Sequence, residues 1–103
     1  MFQVRVLVGE PHSLMFVVYV IQNPQRRLYI GHTDDLAARL VEHNSGLSRW
    51  TRGRGPWHVV YTETVPTRAE AMKRERQLKV GRANQELRRR IAQSVESLLP
   101  GKD

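Results

Sequence analysis

A chain of 103 residues, 40% of them hydrophobic and 26% charged, has room for one domain with one modest core and little space for a second. It contains no cysteine, which excludes disulfide frameworks, thiolate metal sites and cysteine nucleophiles and fits a reducing, cytoplasmic setting. The balance of 17 Lys and Arg against 10 Asp and Glu, a net charge of +7, points to a polyanionic partner, either nucleic acid or an anionic membrane surface.

The predicted elements follow in chain order. Phe2, Val4, Val6 and Val8 alternate as in a short edge strand, which Gly9-Glu10-Pro11-His12-Ser13 interrupts. Phe16-Val17-Val18-Tyr19-Val20-Ile21 is β-branched and aromatic, too short for a helix, and is expected as a buried strand. Asn23-Pro24-Gln25 makes a turn into Leu28-Tyr29-Ile30-Gly31, so the two strands form an antiparallel hairpin. A first helix begins after an N-cap at Thr33 or Asp34 and stops at Asn44-Ser45-Gly46. A basic loop, Leu47 to Pro56, leads into a third strand over Trp57–Glu63. Thr67 and Glu70 form a capping box that opens a second helix running to about Val80, where Gly81 ends it. The last helix, about Arg82 to Leu98, places Leu87, Ile91, Val95 and Leu98 on one face before Pro100-Gly101. The order β-β-α-β-α-α predicts an α+β domain: a small three-stranded antiparallel sheet flanked by helices. The longest apolar run, Leu14 to Ile21, is eight residues, well short of the ~18–20 of a membrane span, and it lacks the flanks of a signal peptide.

The charge is uneven. Residues 1–51 carry a net +1 and residues 52–103 a net +6, and 14 of the 17 basic residues are Arg, the side chain whose planar fork matches phosphate. On a helical wheel of about 100° per residue, Leu36, Ala37, Leu40 and Val41 form the apolar arc of the first helix, with Arg39 and His43 together on its border. An ordinary solvated helix face would carry the same pair. In the second helix Ala71, Met72 and Leu78 define the apolar side, and Glu75 falls between them. Lys79 shares the arc but can snorkel outward, whereas a carboxylate there needs a cation, a metal or a donor network; an internal Arg partner would be the plain structural explanation. Tyr19 and Tyr29 stand on the two arms of the hairpin, where their hydroxyls can lie close together. Two Tyr, an Arg, a His and a Glu in a basic domain are the parts that phosphodiester hydrolysis needs. One carboxylate plus water and phosphate oxygens suffices for Mg²⁺, an Arg fork neutralises charge on phosphoryl oxygens, and a Tyr or His can deprotonate or orient water.

In this order and spacing the residues resemble the GIY-YIG nuclease superfamily, in particular its small stand-alone members. The first signature triad stands as Val17-Val18-Tyr19 and the second, intact, as Tyr29-Ile30-Gly31. Arg39 follows ten positions after Tyr29, His43 one turn later, Thr51-Arg52-Gly53-Arg54 precedes the third strand, and Ala71 to Lys79 matches the family's Ala-x-x-x-Glu-x-x-Leu-Lys with Glu75 in place. The resemblance covers about residues 15–92, with residues 1–14 an extension outside it, a nuclease domain over 15–98 and a tail over 99–103. Met15 stands almost where the pattern begins and offers a start alternative to Met1. Val17 replaces the usual Gly, His32 stands where many relatives carry Lys, and Asn84 is a poorly spaced match to a late Asn used by several relatives.

What the resemblance implies is a divalent-metal-dependent endonuclease acting on DNA, using Mg²⁺ or Mn²⁺, in repair or recombination. Glu75 would hold the metal, Arg39 would contact the scissile phosphate, and Tyr19, Tyr29 or His43 would be the general base or orient the water. Gly31 would allow close backbone approach. Arg49, Arg52, Arg54, Lys73, Arg74 and Lys79 would hold the nucleic-acid backbone, positioning the protein without reading a sequence, so that substrate choice follows DNA structure or comes from a protein partner. The alternatives are a catalytically weak nucleic-acid-binding module with a vestigial centre, and a protein-interaction domain in a repair complex.

Overall fold

The computed structural model describes residues 15–98, and for 95–98 the backbone alone. The Phe2–Val8 strand and the inward positions of Val95 and Leu98 therefore lie outside what is described. Strand β1 (Phe16–Gln22) is central in a three-stranded antiparallel sheet of order β2-β1-β3, with β2 at Leu28–Thr33 and β3 at His58–Val65. Helix α1 spans Leu36–Ser45, α2 Arg68–Leu78 and α3 Gly81–Leu98. The expected α+β architecture and element order are what the chain adopts.

The period of two along β1 divides the core. Phe16, Val18 and Val20 point to one face, where they pack with Ile30, Ala71, Leu78, Leu87 and Ile91 beneath α2 and α3. Tyr19 and Ile21 point to the other, against Trp57 with Leu36, Leu40, Tyr29 and Val17 around them. Val18, Val20 and Ile21 are fully buried, as befits the middle strand of a sheet covered on both faces.

Local chemistry sets the joints. Asn23 closes the β1–β2 turn: its backbone N–H bonds the Arg27 carbonyl, and its Oδ1 accepts from the Arg27 amide at 2.9 Å. The N-cap of α1 is Asp35, not Thr33 or Asp34. Its carboxylate accepts from the Ala38 amide at 3.1 Å, while Thr33 Oγ1 accepts the Asp35 N–H. Gly46, at φ 88, ends the helix by bonding back to the Glu42 carbonyl. The Asn44 amide grips both backbone groups of Trp57, at 2.7 and 3.1 Å. This clamp leaves Trp57 just ahead of β3 instead of inside it, and the strand runs on to Val65. Thr67 caps α2 as expected, accepting from the Glu70 amide. That helix stops at Leu78, and Gly81, at φ 62, begins α3. Asn84 seals the joint by donating to the Leu78 carbonyl at 2.9 Å, which gives this residue a structural task. Val41 and Met72, expected on apolar arcs, are 65% and 43% exposed: each helix contacts the sheet along a narrower stripe than its wheel offers.

On the α2 side, Arg74 meets Glu63 of β3 through two parallel bonds of 2.8 and 2.9 Å, with the Tyr61 hydroxyl donating to the same carboxylate. The Arg74 fork holds the Glu63 carboxyl below its usual range against the opposing effect of burial. The native state thus binds fewer protons at this group than the unfolded chain, so its stabilisation is full above the ordinary value of 4.5 and is lost as pH falls through the lower folded value. Glu63→Gln is expected to cost about 1 kcal/mol near neutral pH. In urea denaturation, the gap from wild type should narrow in acid; a gap independent of pH would contradict the pairing.

Candidate active site

The strand register brings the hairpin residues together. Tyr19 lies directly opposite Gly31, and Ile21 opposite Tyr29, so Tyr19, Gly31 and Tyr29 share the α1 face. A Cβ on Gly31 would sit 2.7 Å from the Tyr19 hydroxyl and 2.9 Å from its Cζ. The Tyr19 ring therefore lies across the place where any other residue would project a side chain. From there the hydroxyl reaches His43 Nε2 at 2.8 Å, and Arg39 Nε donates to it at 3.4 Å. Tyr29 flanks the pair, its ring centroid 4.8 Å from that of His43 and 6.3 Å from that of Tyr19.

The wheel places both Arg39 and His43 at the rim of the core, but only Arg39 stays there, with Nη1 on Glu42 at 2.6 Å. His43 is 2% exposed. Its Nδ1 lies 2.8 Å from Thr51 Oγ1, and the Thr51 hydroxyl points to the Ser48 carbonyl at 3.5 Å. With that hydroxyl donating to Ser48, Thr51 accepts from His43 Nδ1–H, and the bare Nε2 accepts from Tyr19. Burial, followed by the nearby Arg39 charge, lowers the His43 pKa, so the ring is neutral, as this arrangement requires. Burial likewise pushes Tyr19 up to about 12, with the Arg39 bond opposing it. The result is a chain from Arg39 at the rim through the buried Tyr19 and His43 to Thr51, anchored by Trp57 Nε1 donating to the Thr51 carbonyl at 3.1 Å.

Glu75 stands on the opposite face. His32 pairs with Val18 across β1 and β2, which turns its ring toward α2, and its Nδ1 lies 2.6 Å from Glu75 Oε1. Lys79, one turn on, donates to Oε2 at 2.6 Å. The partners of this carboxylate are thus a His and a Lys, where its position on the wheel would equally have suited an Arg. Burial raises its pKa, but the Lys79 and His32 bonds together outweigh burial and leave it below the usual range, hence ionised. The two groups are separated by β2, an edge strand, and the Glu75 charge is near enough to act on the Tyr19 hydroxyl. Among the described residues no three His, Asp or Glu side chains converge on one point. Glu75 fits a cation that takes most of its oxygens from water and substrate, which is the habit of Mg²⁺. Each of its oxygens has one hydrogen-bond partner and lone pairs to spare.

Of the expected phosphate contacts, Arg49, Arg52, Arg54 and Lys73 are exposed, whereas Lys79 is held on Glu75 and Arg74 on Glu63. Thr51 and His32 are the two residues of the site that sequence reasoning left without a role. Thr51 carried a signal as the polar start of Thr-Arg-Gly-Arg, and His32 as a polar residue in phase with buried Ile30.

Comparisons with known proteins identify the family. The family model described as the GIY-YIG catalytic domain matches residues 15–88. A UPF0213 protein of Staphylococcus epidermidis is 38% identical over 72 residues, covering 69% of this chain and 88% of that protein, and one of Staphylococcus aureus matches to the same extent. The solution NMR structure of a UPF0213 protein from Bacillus halodurans is 35% identical, covers 71% of this chain and 80% of its own, and superposes with a TM-score of 0.44.

Two outcomes check the geometry. In long-range ¹H–¹⁵N spectra the His43 ring should stay neutral, with its proton on Nδ1, at pH values where an ordinary histidine is half protonated. Because the folded ring binds its second proton more weakly than the unfolded one, its contribution to stability falls as pH drops below 6.5, and His43→Gln should flatten that slope. Gly31→Ala should cost about 1–3 kcal/mol by displacing the Tyr19 ring, seen as a lower melting temperature and a lost Tyr19–His43 bond; an unperturbed variant would contradict the close approach.

Proposed function

The chain belongs to the GIY-YIG nuclease superfamily, and on that premise we propose that it is a divalent-metal-dependent endonuclease that hydrolyses DNA phosphodiester bonds, selecting by structure and not by sequence, in repair or recombination. The observation that carries this reading is the hydrogen-bonded Arg39–Tyr19–His43–Thr51 chain, buried from Tyr19 inward. A module that only binds the backbone has no need to bury a neutral imidazole against a phenol and aim a guanidinium at the same oxygen, since exposed Arg and Lys are enough for phosphate contact.

In this reading the scissile phosphate lies across the edge of β2, between Arg39 on one side and Glu75 on the other. Glu75 holds Mg²⁺ or Mn²⁺, which when bound supplies Lewis-acid stabilisation of the phosphoryl oxygens. Arg39 turns part of its fork from Glu42 to the phosphate and neutralises charge that grows as the water oxygen attacks phosphorus. Tyr19 accepts a proton from that water while its own moves to His43 Nε2, so the phenol never has to ionise far below its raised pKa. The P–O bond to the leaving strand breaks, and the departing oxygen takes a proton from solvent. Tyr29 packs beside this pair and keeps the rings oriented. The exposed Arg49, Arg52, Arg54 and Lys73 hold the flanking backbone, contacts that carry no base information.

The test is cleavage of supercoiled plasmid and of labelled forked and four-way DNA with Mg²⁺. Arg39→Ala and Tyr19→Phe are each expected to lower the single-turnover rate by roughly 10²–10³, and Glu75→Ala by at least as much, with DNA binding retained. Binding without cutting on every substrate would favour the vestigial module. Cutting untouched by Glu75→Ala would remove this residue from the metal site.

A further inference from the structure

Ahead of Thr51 in the basic loop, one of the two tryptophans stands in solvent: Trp50 is 67% exposed. Its placement is ordered. The Arg54 guanidinium lies 5.3 Å from the centre of the indole and donates to the Trp50 carbonyl at 3.0 Å, a cation–π arrangement that fixes the ring and leaves the face away from Arg54 open. Next to it a cleft of about 320 Å³ runs between the loop and the β1–β2 turn, lined by Asn23, Gln25, Arg27, Trp50, Gly53 and Arg54. Neither of these segments, residues 22–28 and 46–57, contains an Asp or Glu, and between them they carry five Arg. An open aromatic face inside a cationic, acid-free cleft is complementary to a nucleobase on a phosphate strand.

The chemistry selects which nucleobase. In continuous duplex both π-faces of each base are covered by its neighbours, so a protruding indole finds a free face only where a base is unpaired and splayed out. The surrounding Arg side chains, by contrast, attract duplex and single strands alike. The platform is also joined to the reacting centre: Thr51, the residue after Trp50, bonds His43 and is pinned by Trp57. A base stacked on Trp50 would therefore be held by the same loop that orients the imidazole.

We propose that Trp50, backed by Arg54, is a stacking platform for an unpaired base of the bound DNA strand, and that it directs the enzyme to single-stranded segments such as flaps, gaps and the arms of forks. The inference rests on the reading of the chain as a nuclease acting on DNA, and it adds the residue that chooses the substrate.

The experiment measures fluorescence anisotropy of a labelled oligothymidylate and of a blunt duplex of equal phosphate count, in EDTA so that neither is cut, with wild type, Trp50→Ala and Trp50→Phe. Trp50→Ala should weaken oligothymidylate binding by roughly tenfold or more and leave duplex binding unchanged, while Trp50→Phe retains affinity. Oligothymidylate should also quench tryptophan emission in wild type and not in Trp50→Phe, because the remaining Trp57 is 4% exposed. Equal loss on both DNAs, no loss on either, or quenching that persists in Trp50→Phe would overturn the platform while leaving the nuclease reading intact. Wild type that binds neither DNA would overturn the platform together with the nuclease reading.

Discussion

The Tyr19 ring lies where the side chain of residue 31 would be, and the rest of the site is arranged around that overlap. With a Cβ at 31 the phenol would be displaced by the order of an ångström, since the hydroxyl stands 2.7 Å from the position that Cβ would take. Absence of that one carbon lets a central-strand tyrosine lean over the edge strand and place its oxygen between a buried imidazole and an arginine on α1. The intact Tyr29-Ile30-Gly31 triad is thus one geometric device: the glycine clears the space, and the tyrosine two residues before it, on the same face, fills the gap beside the His43 ring.

Burial then sets the electrostatics. His43 is neutral because it is dry, and Tyr19 holds its proton tightly for the same reason. Neither group is charged, so the fixed charges of the site are Arg39 on one side of the β2 edge and the ionised Glu75, with its Lys79 and His32 partners, on the other. This division follows from strand alternation. Neighbouring residues Gly31 and His32 point to opposite faces, so one edge strand serves both halves of the site. Thr51 and Trp57 extend the arrangement into the basic loop, tying that exposed cationic segment to the histidine that supports the tyrosine.

The order of elements was legible from hydrophobic periodicity and from turn and cap residues, because these are local: a β-branched run, a capping box, a glycine at positive φ. Cap assignments slipped by one or two residues where several acceptors stood in a row, as with Thr33, Asp34 and Asp35. The wheel misjudged Val41, Met72 and His43 because it gives a direction around a helix but not how wide a stripe the sheet covers. His43 is buried by the loop that folds over α1, and no periodicity of the helix itself encodes that.

The sequence by itself determined the family, the strand and helix order, and which side chains were available for phosphate chemistry, since residue type and spacing along one chain carry that information. Only the tertiary structure decided the partners. The pairing of His32 with Glu75 spans 43 positions and that of Tyr19 with His43 spans 24, and contacts across such separations depend on strand register and on how the helices sit against the sheet. The same packing withdrew Arg74 into a pair with Glu63 and left Trp50 in the open, so the basic surface that composition announced became a particular cleft with one aromatic face.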